Sequence, residues 1–98
     1  MFLKIHKSYR DVVAICDSEL IGRKFEQDNF QLDIKENFFK GEELNEKELE
    51  KKMKEYFKED ATFNIIGEKS INTAIKANII NKQGIKKIQN IPFAMILG

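Results

Sequence analysis

Apolar and polar positions set the elements. Residues 2–6 alternate, and residues 12–16 run Val-Val-Ala-Ile-Cys without a polar break. The polar link at 7–11 joins them, which predicts a hairpin whose second strand lies near the sheet centre. Residues 17–22 read as one helical turn, capped by Asp17 and left through Gly22. Residues 24–29 are polar apart from Phe25 and predict a connecting stretch. Phe30, Leu32 and Ile34 then alternate with polar residues, the pattern of a half-buried strand. Phe38 and Phe39 form an aromatic pair that ends in a turn at Gly41.

Two helices follow from the spacing. Leu49, Met53, Tyr56 and Phe57 make one stripe over residues 46–57, with Asn45 as cap, Glu48 to complete a capping box, and Leu44 and Leu49 as a staple. Ile71, Ala74, Ile75 and Ile79 make a second stripe over residues 68–78, directly after Gly67. Residues 61–66 between them fit a short buried strand or a turn closed by Gly67, and the strand is taken. Gln83-Gly84 predicts a turn. Residues 85–89 and 91–97 are short strands, with Pro92 pushing part of the last toward an edge or bulge. The expected class is α+β: a small mixed or antiparallel sheet of short strands packed against the two helices.

Length changes this picture little. The 98 residues predict one domain over 1–98, large enough for one core without staples. No apolar run reaches membrane-spanning length, and the start lacks the apolar stretch of a signal peptide. One cysteine excludes an intramolecular disulfide framework and fits a reducing compartment, so a cytoplasmic location is expected.

Charge matters more. The net charge is +1, but residues 61–98 carry five lysines against one glutamate, and residues 42–60 carry five lysines against eight acidic groups. Lys4, Lys7, Arg10, Arg23, Lys24, Lys82, Lys86 and Lys87, with Tyr9 nearby, make one cationic patch if the hairpin turn and the C-terminal strands share an edge. Such a patch contacts phosphates, and an exposed ring stacks on a base. The acidic helix of residues 46–57 is a solvated face or a protein-docking surface.

Catalytic groups are sparse. Cys16 before Asp17 at a strand end is one candidate nucleophile, and a Cys16–His6 pair across the hairpin is geometrically conceivable, but no orienting group or oxyanion site accompanies it. The ordinary reading of Cys16 is a small buried residue. One Cys and one His make a poor zinc set, and no cofactor or small-molecule substrate is inferred. Gly67-Glu68-Lys69-Ser70 lacks the earlier glycine and the Gly-Lys pair of a phosphate-binding loop.

Several segments together carry a family resemblance. Residues 2–6, Val13-Ala14-Ile15-Cys16-Asp17-Ser18-Glu19-Leu20-Ile21-Gly22, Phe25-Glu26, Phe38-Phe39-Lys40-Gly41, Asn64-Ile65-Ile66-Gly67 and Ile91-Pro92-Phe93-Ala94 resemble the small archaeal family catalogued as domain of unknown function 424. The resemblance spans almost the whole chain. It marks Cys16, Asp17, Gly22, Asn64, Gly67 and Pro92, whose roles are structural on the simplest reading: turns, a cap and loop bonding. Relatives tend to read Gly-x-Pro-His-Ala-Gln near the end, where this chain has Asn90-Ile91-Pro92-Phe93-Ala94-Met95, so a histidine role does not transfer to Phe93. The family implies an archaeal cytoplasmic protein without an established activity. The leading expectation is a module binding structured RNA or a ribonucleoprotein, connected with translation. The alternatives are a protein-interaction adaptor, docking through the acidic helix or an exposed C-terminal strand edge, and a small enzyme centred on Cys16 and Asp17.

Overall fold

The two runs at the start form β1 (Phe2–His6) and β2 (Val12–Cys16), antiparallel, with Phe2 opposite Cys16 and His6 opposite Val12. The computed structural model describes residues 1–97. As its unbroken apolar run predicts, β2 is interior to a six-stranded mixed sheet of order β5-β1-β2-β6-β8-β7. Here β5 is Glu42–Glu43, β6 Thr62–Ile66, β7 Lys86–Ile88 and β8 Ile91–Ile96. Residues 62–66 are therefore strand. They pair parallel to β2, while β8 runs antiparallel to β6 and β7 to β8.

Alternation along the strands gives each face of the sheet its own core. Leu3, Val13, Ile15, Phe63 and Ile65 face α2 (Glu46–Lys58) and α3 (Glu68–Lys76), which contribute Leu49, Met53, Ile71 and Ala74. Ala14, Cys16, Ile66 and Ile88 face the other way, against Leu20, Phe25, Ile34 and Phe39. That second cover was not predicted. It is a separate two-stranded sheet of β3 (Lys24–Gln27) and β4 (Phe30–Asp33), with a single-turn helix α1 (Glu36–Phe39).

The α+β class stands, and the details differ where tertiary contacts override local pattern. Residues 24–27, expected as a connection, are a strand because they pair with Phe30–Asp33. In the alternating run Phe30 is 70% exposed, since it sits at the tip of this small sheet, while Ile34 is fully buried beyond the strand end. The capping box of α2 is formed as predicted, with the Glu48 N–H donating to Asn45 Oδ1 at 2.9 Å and the Asn45 N–H donating to Glu48 Oε1 at 3.0 Å. Phe57 leaves its stripe and is largely exposed. The second helix stops at Lys76, two residues early, because Asn78 turns left-handed. Pro92 lies in β8, which has neighbours on both sides rather than a free edge.

Candidate functional site

Because β2 and β6 are parallel, their carboxyl ends meet at one end of the sheet. The Asp17 N–H donates to the Ile66 carbonyl at 3.0 Å there, and Gly67 opens α3 at φ +114°. Asp17 does not form the cap expected of it on its own turn. Its carboxylate instead reaches across to α3 and accepts from the N–H of Lys69 (3.1 Å), the N–H of Ser70 (2.8 Å) and Ser70 Oγ (2.7 Å). It thus satisfies helix-end donors that have no partner within the helix, where a negative charge is favoured.

Glycine at 67 is required twice over. The left-handed φ strains any L side chain, and a Cβ there would lie 2.3 Å from Asp17 Cγ. The Gly67 N–H donates to the Pro92 carbonyl at 2.8 Å, while its own carbonyl accepts from Ile71 N–H at 2.9 Å. Pro92 has no N–H to offer in return, and none is needed, because the Gly67 carbonyl is committed to the helix. Cys16, Asp17, Gly67 and Pro92 therefore form one structural knot. Gly22 stands apart at φ +79°, donating its N–H to Ile34 at the entry to β3. Asn64 is mid-strand between Ala14 and Met95, so it is not a loop residue.

The knot carries no nucleophile. The Cys16 thiol is 0% exposed, and burial first, the neighbouring Asp17 charge second, push it up to about 12. It is a neutral thiol at neutral pH. The Cys16–His6 pair is excluded by register: His6 stands opposite Val12, four residues from Phe2, about 13 Å along the strand. His6 instead stacks on Phe38 and donates from Nε2 to the Phe38 carbonyl at 2.8 Å. Among the described residues no cluster of three His, Cys, Asp or Glu is placed to hold a metal ion.

Beside the knot, between α3 and the β7–β8 hairpin, lies a two-lobed cleft. One lobe, of about 360 Å³, is bounded by Leu20, Glu19, Lys69 and Ile91. The other, of about 590 Å³, has Ile71, Ile75 and Ile85 as its apolar wall, with Lys82 and Lys87 at its rim. Glu68, Asn72, Asn90 and Pro92 line both lobes and form the waist. Asn72 and Asn90 are exposed, and none of the hydrogen bonds within the described residues involves their side chains. Glu19 and Lys69 approach at 3.9 Å across the first lobe. The cleft thus has an apolar wall, amides and the Glu68 carboxylate at its middle, the Glu19–Lys69 pair at one end and two lysines at the other.

The comparisons place the chain among known proteins. Residues 6–98 match the model of a family described as a protein of unknown function (DUF424). The chain belongs to this family. A crystal structure of an uncharacterized conserved protein from Methanopyrus kandleri has the same fold at TM-score 0.87 and 24% identity, covering 97% of this chain and 88% of that one. No curated protein matches.

In this family member the eight basic residues do not form one patch. The β1–β2 turn, with Lys7, Tyr9 and Arg10, lies beside Glu59 and Asp60 at one end of the sheet. Asp11, by hydrogen bond first and charge second, holds the Lys7 ammonium above its ordinary value. Lys86 and Lys87 are three strands across and at the other end, on the order of 20 Å away. They also face opposite ways: Lys87 pairs with Pro92 on the α3 side, and Lys86 with Phe93 on the β3–β4 side. Lys4 donates to the Asn37 carbonyl at 2.6 Å. Arg23 lies over the Phe25 ring at 4.9 Å, and Lys24 begins β3. Two pairs of the eight share a concavity: Lys7 and Arg10 beside Asp11, Glu59 and Asp60, and Lys82 and Lys87 in the second lobe of the cleft.

The helix of residues 46–57 is not acidic either. Glu46–Lys58 holds five lysines against four glutamates, and the local negative charge comes from Glu42, Glu43, Glu59 and Asp60 outside it. Sequence reasoning missed Glu19, Glu68, Asn72 and Asn90. Glu68, Asn72 and Ile75 do follow i, i+4, i+7 along α3, a second stripe beside the core one, and that was the available signal. No helix of the described residues is long and apolar enough to cross a membrane.

Proposed function

We propose that this protein is a protein-interaction adaptor that takes an extended peptide segment of a partner in the cleft between α3 and the β7–β8 hairpin. The carrying observation is the lining of the cleft: an apolar wall of Ile71, Ile75 and Ile85, with free amides of Asn72 and Asn90 at the waist common to both lobes. Apolar walls take side chains, and side-chain amides pair with the N–H and C=O of a peptide backbone. The lysine rim of Lys82 and Lys87 lies at one end, whereas the other end holds the Glu19–Lys69 pair, and this asymmetry adds a direction to the bound chain.

The RNA reading has less support. No aromatic ring lines the cleft for base stacking, and Glu19 and Glu68 bring carboxylates to where phosphates would lie. With Lys82 and Lys87 as its phosphate contacts, a single strand would show a salt slope of only about −1.4.

The test is a random-peptide display selection on the immobilised protein, run beside a titration with labelled oligouridylate RNA. Enriched peptides should bind wild type and lose binding to N72R, which fills the waist from an exposed helix position. No enrichment, or winners indifferent to N72R, would overturn the reading. Salt-sensitive RNA binding abolished by K82E/K87E would put RNA in its place.

A further inference from the structure

The basic lobe adds a requirement on the occupant, one that rests on the peptide reading above. Among the described residues, Lys7, Lys40, Lys54, Lys69 and Lys76 each have a carboxylate within 4.0 Å. Lys82 and Lys87, like most of the other lysines, have none, and these two line one lobe together with Ile71, Ile75, Ile85 and Glu68. They come from separate elements, the single turn at Lys82–Gly84 and β7, and each adds one cation to the lining of a lobe with an apolar wall.

The backbone of an internal peptide segment would cover that wall while offering the two ammonium groups only carbonyl oxygens, and an acidic side chain would hold its carboxylate on a separate residue from the apolar one. A chain terminus offers a carboxylate, which both can share, directly next to its last side chain. The volume of about 590 Å³ holds one large side chain together with that carboxylate. Glu68 lines both lobes, at the waist, where it disfavours an acidic residue next to the terminus, and Glu19 lies in the other lobe beside Lys69. We infer that the cleft recognises a protein C-terminus: an apolar last side chain against Ile71, Ile75 and Ile85, its free carboxylate on Lys82 and Lys87, and the preceding peptide group on Asn72 and Asn90.

Capture of a terminal carboxylate is a known mode of peptide recognition, in which the charge identifies the end of a chain. Here two side-chain ammonium groups take the part that backbone N–H groups play elsewhere. Lys82 and Lys87 are exposed, and two surface ion pairs near the upper end of their usual strength correspond to about tenfold in affinity.

The probes are two pools of N-acetylated peptides, random upstream and ending in leucine, one with a free carboxylate and one amidated. Each is titrated into the full-length ¹⁵N-labelled protein. The acid pool should shift the Lys87, Ile85 and Asn72 signals at about one-tenth the concentration the amide pool needs. In K82Q/K87Q the two pools should act alike, at the concentration of the wild-type amide. Equal action of the pools on wild type overturns the terminus inference and leaves the peptide cleft standing. Silence from both pools overturns the two together. Acetate alone shifting the same signals at the acid pool's concentration would reduce the lobe to a general anion site.

Discussion

Replacing Asp17 with alanine tests the knot at its centre. The carboxylate is 3% exposed and accepts three hydrogen bonds, two from the first turn of α3 and one from Ser70 Oγ. Loss of a helix cap costs about 1 kcal/mol, with a range of about 0.5–2. Ser70 is itself 0% exposed, so its hydroxyl would be left buried with one partner gone, a further cost of about 1–3 kcal/mol. The two overlap, because the same carboxylate oxygen serves the Ser70 N–H and hydroxyl, so D17A should lose about 2–4 kcal/mol. For a domain of ordinary stability, about 5–15 kcal/mol, that is a large share. The assay is urea unfolding followed by far-UV circular dichroism. With a slope of about 1–3 kcal/mol/M, the midpoint should fall by about 1 M or more at unchanged slope. D17A/S70A should be less destabilised than the sum of the single changes, since removing both partners leaves no orphaned group. A D17A midpoint within error of wild type would refute the reasoning.

Three more expectations use the same readout. G67A should cost more in wild type than in D17A, because the clash at 2.3 Å needs the Asp17 carboxyl while the strain of φ +114° does not; additive losses would sink the steric argument. Native Cys16 should resist a thiol reagent at neutral pH and react only on unfolding. Its folded value of about 12 lies above the unfolded one, so its stabilisation is complete below about pH 9 and is lost as pH rises toward 12, at up to about 1.4 kcal/mol per unit; C16A, compared over that window, should show a shallower loss. N45A should cost about 1 kcal/mol by removing one arm of the α2 capping box, and E48A should remove the other, so the double change should fall short of the sum.

What was legible in the sequence was what is decided locally. The α2 cap joins residues three apart, and the β1–β2 hairpin and both helical stripes repeat within a few residues, so each carries its signal in its own neighbourhood. Asp17 was placed correctly as a cap but assigned to the wrong helix. Its real partners are 52 and 53 residues away, and no local rule reads that distance. Lys24–Gln27 escaped because one apolar residue, Phe25, suffices for a strand whose other face is solvent. The basic patch failed for a reason the sequence did contain. Neighbouring residues of a strand point to opposite faces, so Lys86 and Lys87 cannot act on one surface once 86–88 is a strand. The rest of that failure needs sheet order, which comes from pairing between distant segments.

The placement of the cleft follows from that sheet order. Where parallel strands end and a helix begins, an open α/β arrangement offers an anion site, because free N–H groups and the helix dipole converge there. Among the described residues such a place lies at the ends of β2 and β6, and the chain fills it with its own carboxylate. An incoming phosphate would find the donors taken and a buried negative charge in front of it. The cleft proposed as the binding site is the next gap along the sheet, between α3 and β7–β8, where Glu68, Asn72 and Ile75 of α3 and Pro92 line it. Ser70 and Ala74 hold the helix to the sheet, Ile71 belongs both to that core and to the cleft wall, and on the proposed reading the exposed Glu68 and Asn72 choose the partner. Changes at Asn72 or Lys87 should alter what binds and leave the unfolding midpoint in place. Changes at Asp17 should weaken binding only in proportion to the fraction unfolded.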